Sequence, residues 1–406
     1  MTKFQDLRAL EHKQDYLGLI QELKKLVKQD KRVFTDHYIK EWCGRRWRNL
    51  FITAAAKDPQ AVKVASKKLV GIKLRDTRPA RQKIADRFMR LQDPMEWRTE
   101  MPGAQMAPIK KTSLIFAPGL LTGMLPVQAF REAFPALEQE LGIRVLRADS
   151  HPMRGCEANI ADLLRAVEQG IGHDALGQLI APENAKPPGD FFLISYSKGA
   201  PDVLTLLIAR PDLKARTRCF INWAGAPGGS HLANNIYDAL KGLPTEAVEE
   251  RLTDLLRLVS PAIKLGPVMS RMHEFDIKES IKDLTMPTRS EFNKLHNAAL
   301  DAMDIPIFNI TGSTSALEVP YFQVQGVLEL NRYDANNDMQ VTQHCAKIHM
   351  PMATDLAMLH GHHWDLSYSP FPKTMRFGSP NLDHPFPKGA AAIAMTQFVA
   401  ELGLVD

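Results

Sequence analysis

Residues 191–200 read Phe191-Phe192-Leu193-Ile194-Ser195-Tyr196-Ser197-Lys198-Gly199-Ala200. The apolar run FFLIS stops at S-Y-S-K-G, and helical spacing (Val203, Leu204, Leu206, Leu207, Ile208) begins at once. A strand that turns directly into a helix through small residues holds a serine on a sharp elbow with its hydroxyl exposed. Ser197 occupies that position. Gly199 matches the second glycine of the usual G-x-S-x-G pattern, and Ser195 stands where the first would be. Small residues are required because strand and helix backbones pass close together and the serine is forced into unfavourable φ/ψ space.

Outward from the elbow, strand-like runs alternate with helical ones. Ser113–Ala117, Arg144–Ala148, Phe191–Ser195, Arg218–Trp223, Pro306–Thr311 and Leu356–His360 read as strands, with helical spacing over Gln128–Leu141, Ala158–Glu168 and Val203–Ile208. Such alternation predicts an α/β fold with a doubly wound, mostly parallel sheet. Downstream of Ser197, Asn337-Asp338-Met339-Gln340-Val341 supplies a carboxylate 141 residues on, and Leu359-His360-Gly361-His362-His363-Trp364-Asp365 supplies histidine 25 residues after Asp338.

The order Ser…Asp…His differs from that of the chymotrypsin and subtilisin types. From about Lys111 to the C-terminus the chain resembles an α/β-hydrolase of the serine esterase and lipase kind. N-D-M-Q-V resembles the N-D-G-x-V turn that carries the acid in many members, and G-H-H-W-D the loop that carries the base. The resemblance implies a triad of Ser197, Asp338 and His363. It also implies an oxyanion hole of backbone N–H groups: Lys198, directly after the nucleophile, and Leu120, in Ala117-Pro118-Gly119-Leu120-Leu121 after the first strand. The implied reaction is hydrolysis of a carboxylic ester through an acyl-serine intermediate, with no cofactor. Acyl transfer or thioester cleavage by the same triad, and a non-catalytic binding protein of the same fold, are the alternatives.

The base and the acid each have a rival. His362 adjoins His363, and Asp334 precedes Asp338 in the same turn-rich loop. The H-G-H-H cluster, with His344 or His349, has an alternative reading as a metal site, although no H-E-x-x-H spacing accompanies it. Ala224-Gly225-Ala226-Pro227-Gly228-Gly229-Ser230 lacks a phosphate-cradling pattern and reads as a loop lining the pocket.

The N-terminal quarter has a different character. Helical spacing runs from Leu7 to about Gln92, and residues 1–111 hold 26 Lys+Arg against 13 Asp+Glu, a balance of +13. The rest of the chain holds 25 against 33, a balance of −8, within a total of +5 over 406 residues. The expected organisation is therefore a basic helical region over 1–100, a linker over 101–111 and a hydrolase domain over 112–406 with a helical cap at about 231–303. The basic helices read either as a solvated appendage or as a contact for an anionic surface or carrier. Arg45-Arg46-Trp47-Arg48 is the densest basic patch, yet no nucleic-acid motif accompanies it. Four scattered cysteines (Cys43, Cys156, Cys219, Cys345) and the lack of a leader-like N-terminal apolar run predict a cytoplasmic protein without disulfides.

Overall fold

The computed structural model describes residues 3–406 except 67, 70, 71, 74, 245, 246, 249–270, 272 and 377. Six strands form one sheet: β1 Thr112–Ala117, β2 Arg144–Arg147, β3 Asp190–Ser197, β4 Thr217–Gly225, β5 Ile307–Ser313 and β6 Ala353–His360. Their order is β2-β1-β3-β4-β5-β6 and every pairing is parallel.

Parallel strands need helical crossovers, so both sheet faces are covered and the strands read as continuous apolar runs. Side chains alternate between the faces. Leu114, Phe116, Phe192, Ile194 and Phe308 join one apolar core, while Ile115, Phe191, Leu193, Phe220 and Ile307 join the other. The described helices are α1 Lys3–His12, α2 Tyr16–Gln29, α3 His37–Ala56, α4 Pro59–Ala65, α5 Ala80–Phe88, α6 Ala133–Leu141, α7 Cys156–Leu164, α8 Gly199–Ala209, α9 His231–Leu240, α10 Ile277–Lys282, α11 Met286–Asp301, α12 Val324–Leu330, α13 Gln343–Ala346 and α14 Lys388–Glu401. Helices α3, α6 and α14 cover the first face, with Trp42, Trp47, Phe134 and Phe398 fully buried, and α7, α8 and α11 cover the second.

The chain leaves β1 for β2 on one side and returns to β3 on the other. The crevice at the carboxyl ends of β1 and β3 is thus the topological switch point, the usual ligand position in open α/β sheets. Ser197 ends β3, and the Pro118–Leu121 loop leaves β1 there. The segment 231–303, expected to be a helical cap, holds α9, α10 and α11, of which α11 packs on the second face of the sheet; its residues 245, 246, 249–270 and 272 lie outside the described residues.

The N-terminal helices share the first core with the sheet and cover its β6 edge. Arg90 N–H donates to the Met358 carbonyl at 2.9 Å and Arg48 Nη1 to that of Leu356 at 2.8 Å. All three arginines of the basic patch have carboxylate partners within the chain: Arg45 with Glu11, Arg46 with Glu401, and Arg48 with Glu96. The four cysteines are free and buried.

The Arg46–Glu401 pair locks α3 to α14 by two contacts of 2.6 and 2.7 Å, with the side chains 0% and 2% exposed. Glu401→Ala leaves the guanidinium without a counter-charge in a dry site and is expected to cost about 3–5 kcal/mol. Arg46→Met with Glu401→Leu is expected to be close to neutral. Urea unfolding midpoints of the three proteins check both outcomes.

Candidate active site

Ser197 has φ of 55°, a left-handed conformation that a side chain other than glycine's adopts at a cost of about 1–3 kcal/mol. Close packing on both sides holds it there. A Cβ on Gly119 would lie 2.6 Å from Ser197 Cβ, and one on Gly199 would lie 2.2 Å from the Ala117 carbonyl oxygen. Strand β1, the elbow and α8 therefore meet at van der Waals limits. Ser195 is accommodated where the first glycine is usual, fully buried beside Ala117 and Asn222 in the sheet register.

Asp338 lies in the loop after α12. Asp338 Oδ1 accepts the N–H groups of Gln340 and Val341 at 3.0 and 2.8 Å. Its Oδ2 lies 2.7 Å from His363 Nδ1, and the His363 N–H donates to the Asp338 carbonyl at 2.8 Å. The turn forces Met339 to φ of 76°, which explains why glycine is common at this position in N-D-G-x-V turns. Asp338 and His363 are 1% and 3% exposed, so their hydrogen bond is shielded from water. With the carboxylate accepting from Nδ1, that nitrogen carries the proton and Nε2 is the free base.

The rival residues have other tasks. His362 accepts the Asp365 N–H on Nδ1 and donates from Nε2 to the Asn381 carbonyl; burial lowers its pKa. His360 pairs with Glu318 at 2.7 Å, and that contact holds the Glu318 carboxyl at about 2. Asp334 accepts the N–H groups of Asn336 and Gln343 and shapes the loop. His344 and His349 stack on one another, and among the described residues no group of three or more His, Cys, Asp or Glu could hold a metal ion.

Ser197 and His363 line one cavity of about 80 Å³ together with Leu120. The rest of its wall is mostly apolar, including Leu125, Ile236, Ile281, Leu284 and Trp364. Leu121, at φ of 65°, donates its N–H to the Pro152 carbonyl. The N–H groups of Leu120 and Lys198 donate to no acceptor among the described residues. Two unsatisfied donors beside a serine suit a developing negative charge. A larger cleft of about 1200 Å³ lies behind the histidine loop, lined by Arg87, Glu132, Glu318, His360 and Lys388, and neither Ser197 nor His363 reaches it.

Tyr196 escapes motif reading. Its hydroxyl donates to the His363 carbonyl at 3.1 Å and its ring lies 4.9 Å from the imidazole. The residue before the serine thereby braces the loop that carries the histidine. The one local signal is an aromatic directly preceding Ser197.

No protein-family model and no curated protein sequence matches the chain. Among solved structures it is similar to a metagenomic carboxyl esterase, at 19% identity over 88% of this chain and 91% of that one, with a TM-score of 0.61. It also aligns with a lipase of Bacillus licheniformis in mature form (17% identity, 65% and 89% covered, TM-score 0.42). Lipase 1 from Pelosinus fermentans aligns at 12% identity over 71% and 98%, with a TM-score of 0.42. The fold is that of the α/β-hydrolases.

The loop after β2 supports the Pro118–Leu121 loop through Pro152, and His151 fixes that loop. His151 Nδ1 accepts the Met153 N–H at 3.2 Å while Nε2 faces the Arg271 carbonyl, so the ring is neutral. Burial pushes its pKa from 6.5 down to about 4. Between these values the unfolded chain binds a proton that the folded one does not, so stability falls as pH falls through that window, by on the order of 3 kcal/mol. His151→Asn is expected to flatten this slope between pH 6.5 and 4 relative to wild type, as measured by urea unfolding at stepped pH.

Proposed function

We propose that the protein is a serine hydrolase that cleaves carboxylic esters with an apolar acyl portion. The observation that carries this reading is the shared cavity: a serine at positive φ and a histidine buried on a carboxylate line the same apolar space. Ser197 Oγ attacks the ester carbonyl carbon while its proton passes to His363 Nε2. Asp338 keeps Nδ1 protonated and stabilises the imidazolium. The carbonyl electrons move to oxygen, where the Lys198 and Leu120 N–H groups receive the charge. Collapse expels the alcohol, protonated by His363, and leaves an acyl-serine. Water activated by the same histidine then releases the acid.

The mostly apolar cavity wall favours an uncharged acyl group. Acyl transfer and thioester cleavage would use the same atoms, and product analysis with ester and thioester substrates separates them. Among the described residues no helix is long and apolar enough to cross a membrane.

A fluorophosphonate probe is expected to label wild type and Ser195→Ala but not Ser197→Ala. Absence of labelling in folded wild type would overturn the reading. Asp338→Asn removes the acceptor that sets the histidine tautomer and is expected to lower kcat by roughly 10³–10⁴-fold with the fold intact, as checked by steady-state ester hydrolysis and circular dichroism.

A further inference from the structure

Beneath the elbow lies an ion pair that the triad chemistry does not use. The Lys198 side chain turns inward from the residue after the nucleophile and is 2% exposed, as is that of Asp202. Its Nζ lies 2.6 Å from Asp202 Oδ1, one helical turn further along α8. Asp202 Oδ2 accepts from Asn159 Nδ2 at 3.0 Å, and Asn159 also donates to the His151 carbonyl at 3.4 Å. Lys198 Nζ is 3.8 Å from Cys156 Sγ, at the start of α7. The Cys156 N–H donates to Asp283 Oδ2 at 2.5 Å, which brings the segment between α10 and α11 to the same point.

A buried ion pair is a poor stabiliser, because desolvating both charges offsets most of their attraction. An apolar pair of similar volume would support the fold as well. What the charged pair supplies is orientation. Lys198 is anchored at one end by the strained Ser197 and at the other by a carboxylate that is itself held by Asn159. Its backbone N–H has no acceptor among the described residues. A donor to a transition-state oxyanion is effective only when its direction is fixed beforehand.

We propose that the Lys198 ammonium, held by Asp202 and Asn159, is a positioning group that aims the Lys198 N–H at the oxyanion formed on attack by Ser197. The inference rests on the serine-hydrolase reading above. It adds a task for three buried side chains that do not touch the substrate.

The test is the double variant Lys198→Met with Asp202→Leu, which removes both charges together. Its melting temperature is expected to equal or exceed that of wild type. Its kcat for an ester and its rate constant for fluorophosphonate labelling are expected to fall between about 10-fold and 100-fold, with KM within about twofold. A purely structural pair would leave kcat, KM and the labelling rate of the folded variant at wild-type values, and that result would overturn the proposal. If the double variant does not fold, Asn159→Ala decides. It frees Asp202 Oδ2 while keeping the ion pair, and a several-fold loss of kcat at constant KM is expected; wild-type kcat overturns the proposal. Wild type that is itself unlabelled overturns the hydrolase reading and this proposal together. A labelled wild type with an equally labelled variant overturns this proposal alone.

Discussion

The left-handed backbone at Ser197 is the constraint around which the rest of the site is arranged. A serine does not adopt φ of 55° unless its surroundings leave no alternative. Here the surroundings are two glycine contacts too tight for a methyl group, at Gly119 and Gly199, and a sheet register that ends β1 and β3 side by side. The result is a hydroxyl that leaves the sheet edge at the switch point. The geometry also leaves the following N–H unsatisfied, because the chain enters α8 before that donor can find a carbonyl. Strain and orphaned donor are two consequences of one turn.

The histidine has to reach that hydroxyl from β6, three strands away in the sheet. Its loop is positioned from two directions. Asp338 bonds both the ring and the backbone N–H of His363, so it sets where the loop runs as well as which nitrogen is protonated. Tyr196 grips the His363 carbonyl from the elbow strand itself. Any displacement of the elbow is thus transmitted to the histidine loop, and Ser197 and His363 move together. Burial makes these hydrogen bonds stronger and their loss more costly.

What could be read from the sequence is what depends on near neighbours in the chain. The six strands stand out because strands buried on both faces form continuous apolar runs, and S-Y-S-K-G stands out because a strand-to-helix turn needs small residues at fixed positions. The start of β6 was less legible: Ala353, Thr354 and Asp355 precede the apolar run on an edge strand, where alternate residues meet solvent or the N-terminal helices. Asp338 and Asp334 are the same residue type in one loop; the N-D-M-Q-V turn favours the first, and the fold gives it to His363 and the second to loop backbone. The basic patch Arg45-Arg46-Trp47-Arg48 reads as free charge because its partners Glu11, Glu401 and Glu96 are distant in sequence, Glu401 by 355 residues. Pairing across such separations leaves no local trace.

The same reasoning explains why the polar groups under the elbow were invisible. A lysine in a strand-to-helix turn reads as an exposed residue, since long cations are seldom fully buried. Its burial requires a carboxylate one turn along α8 and an amide on α7, and only their convergence makes the site tolerable for charge. Apolar side chains would fill the space at lower desolvation cost, but they attract one another without direction. An ammonium between a carboxylate and a strained turn has a preferred position to within a hydrogen bond's tolerance. That directionality is the property a hydrophobic core cannot supply.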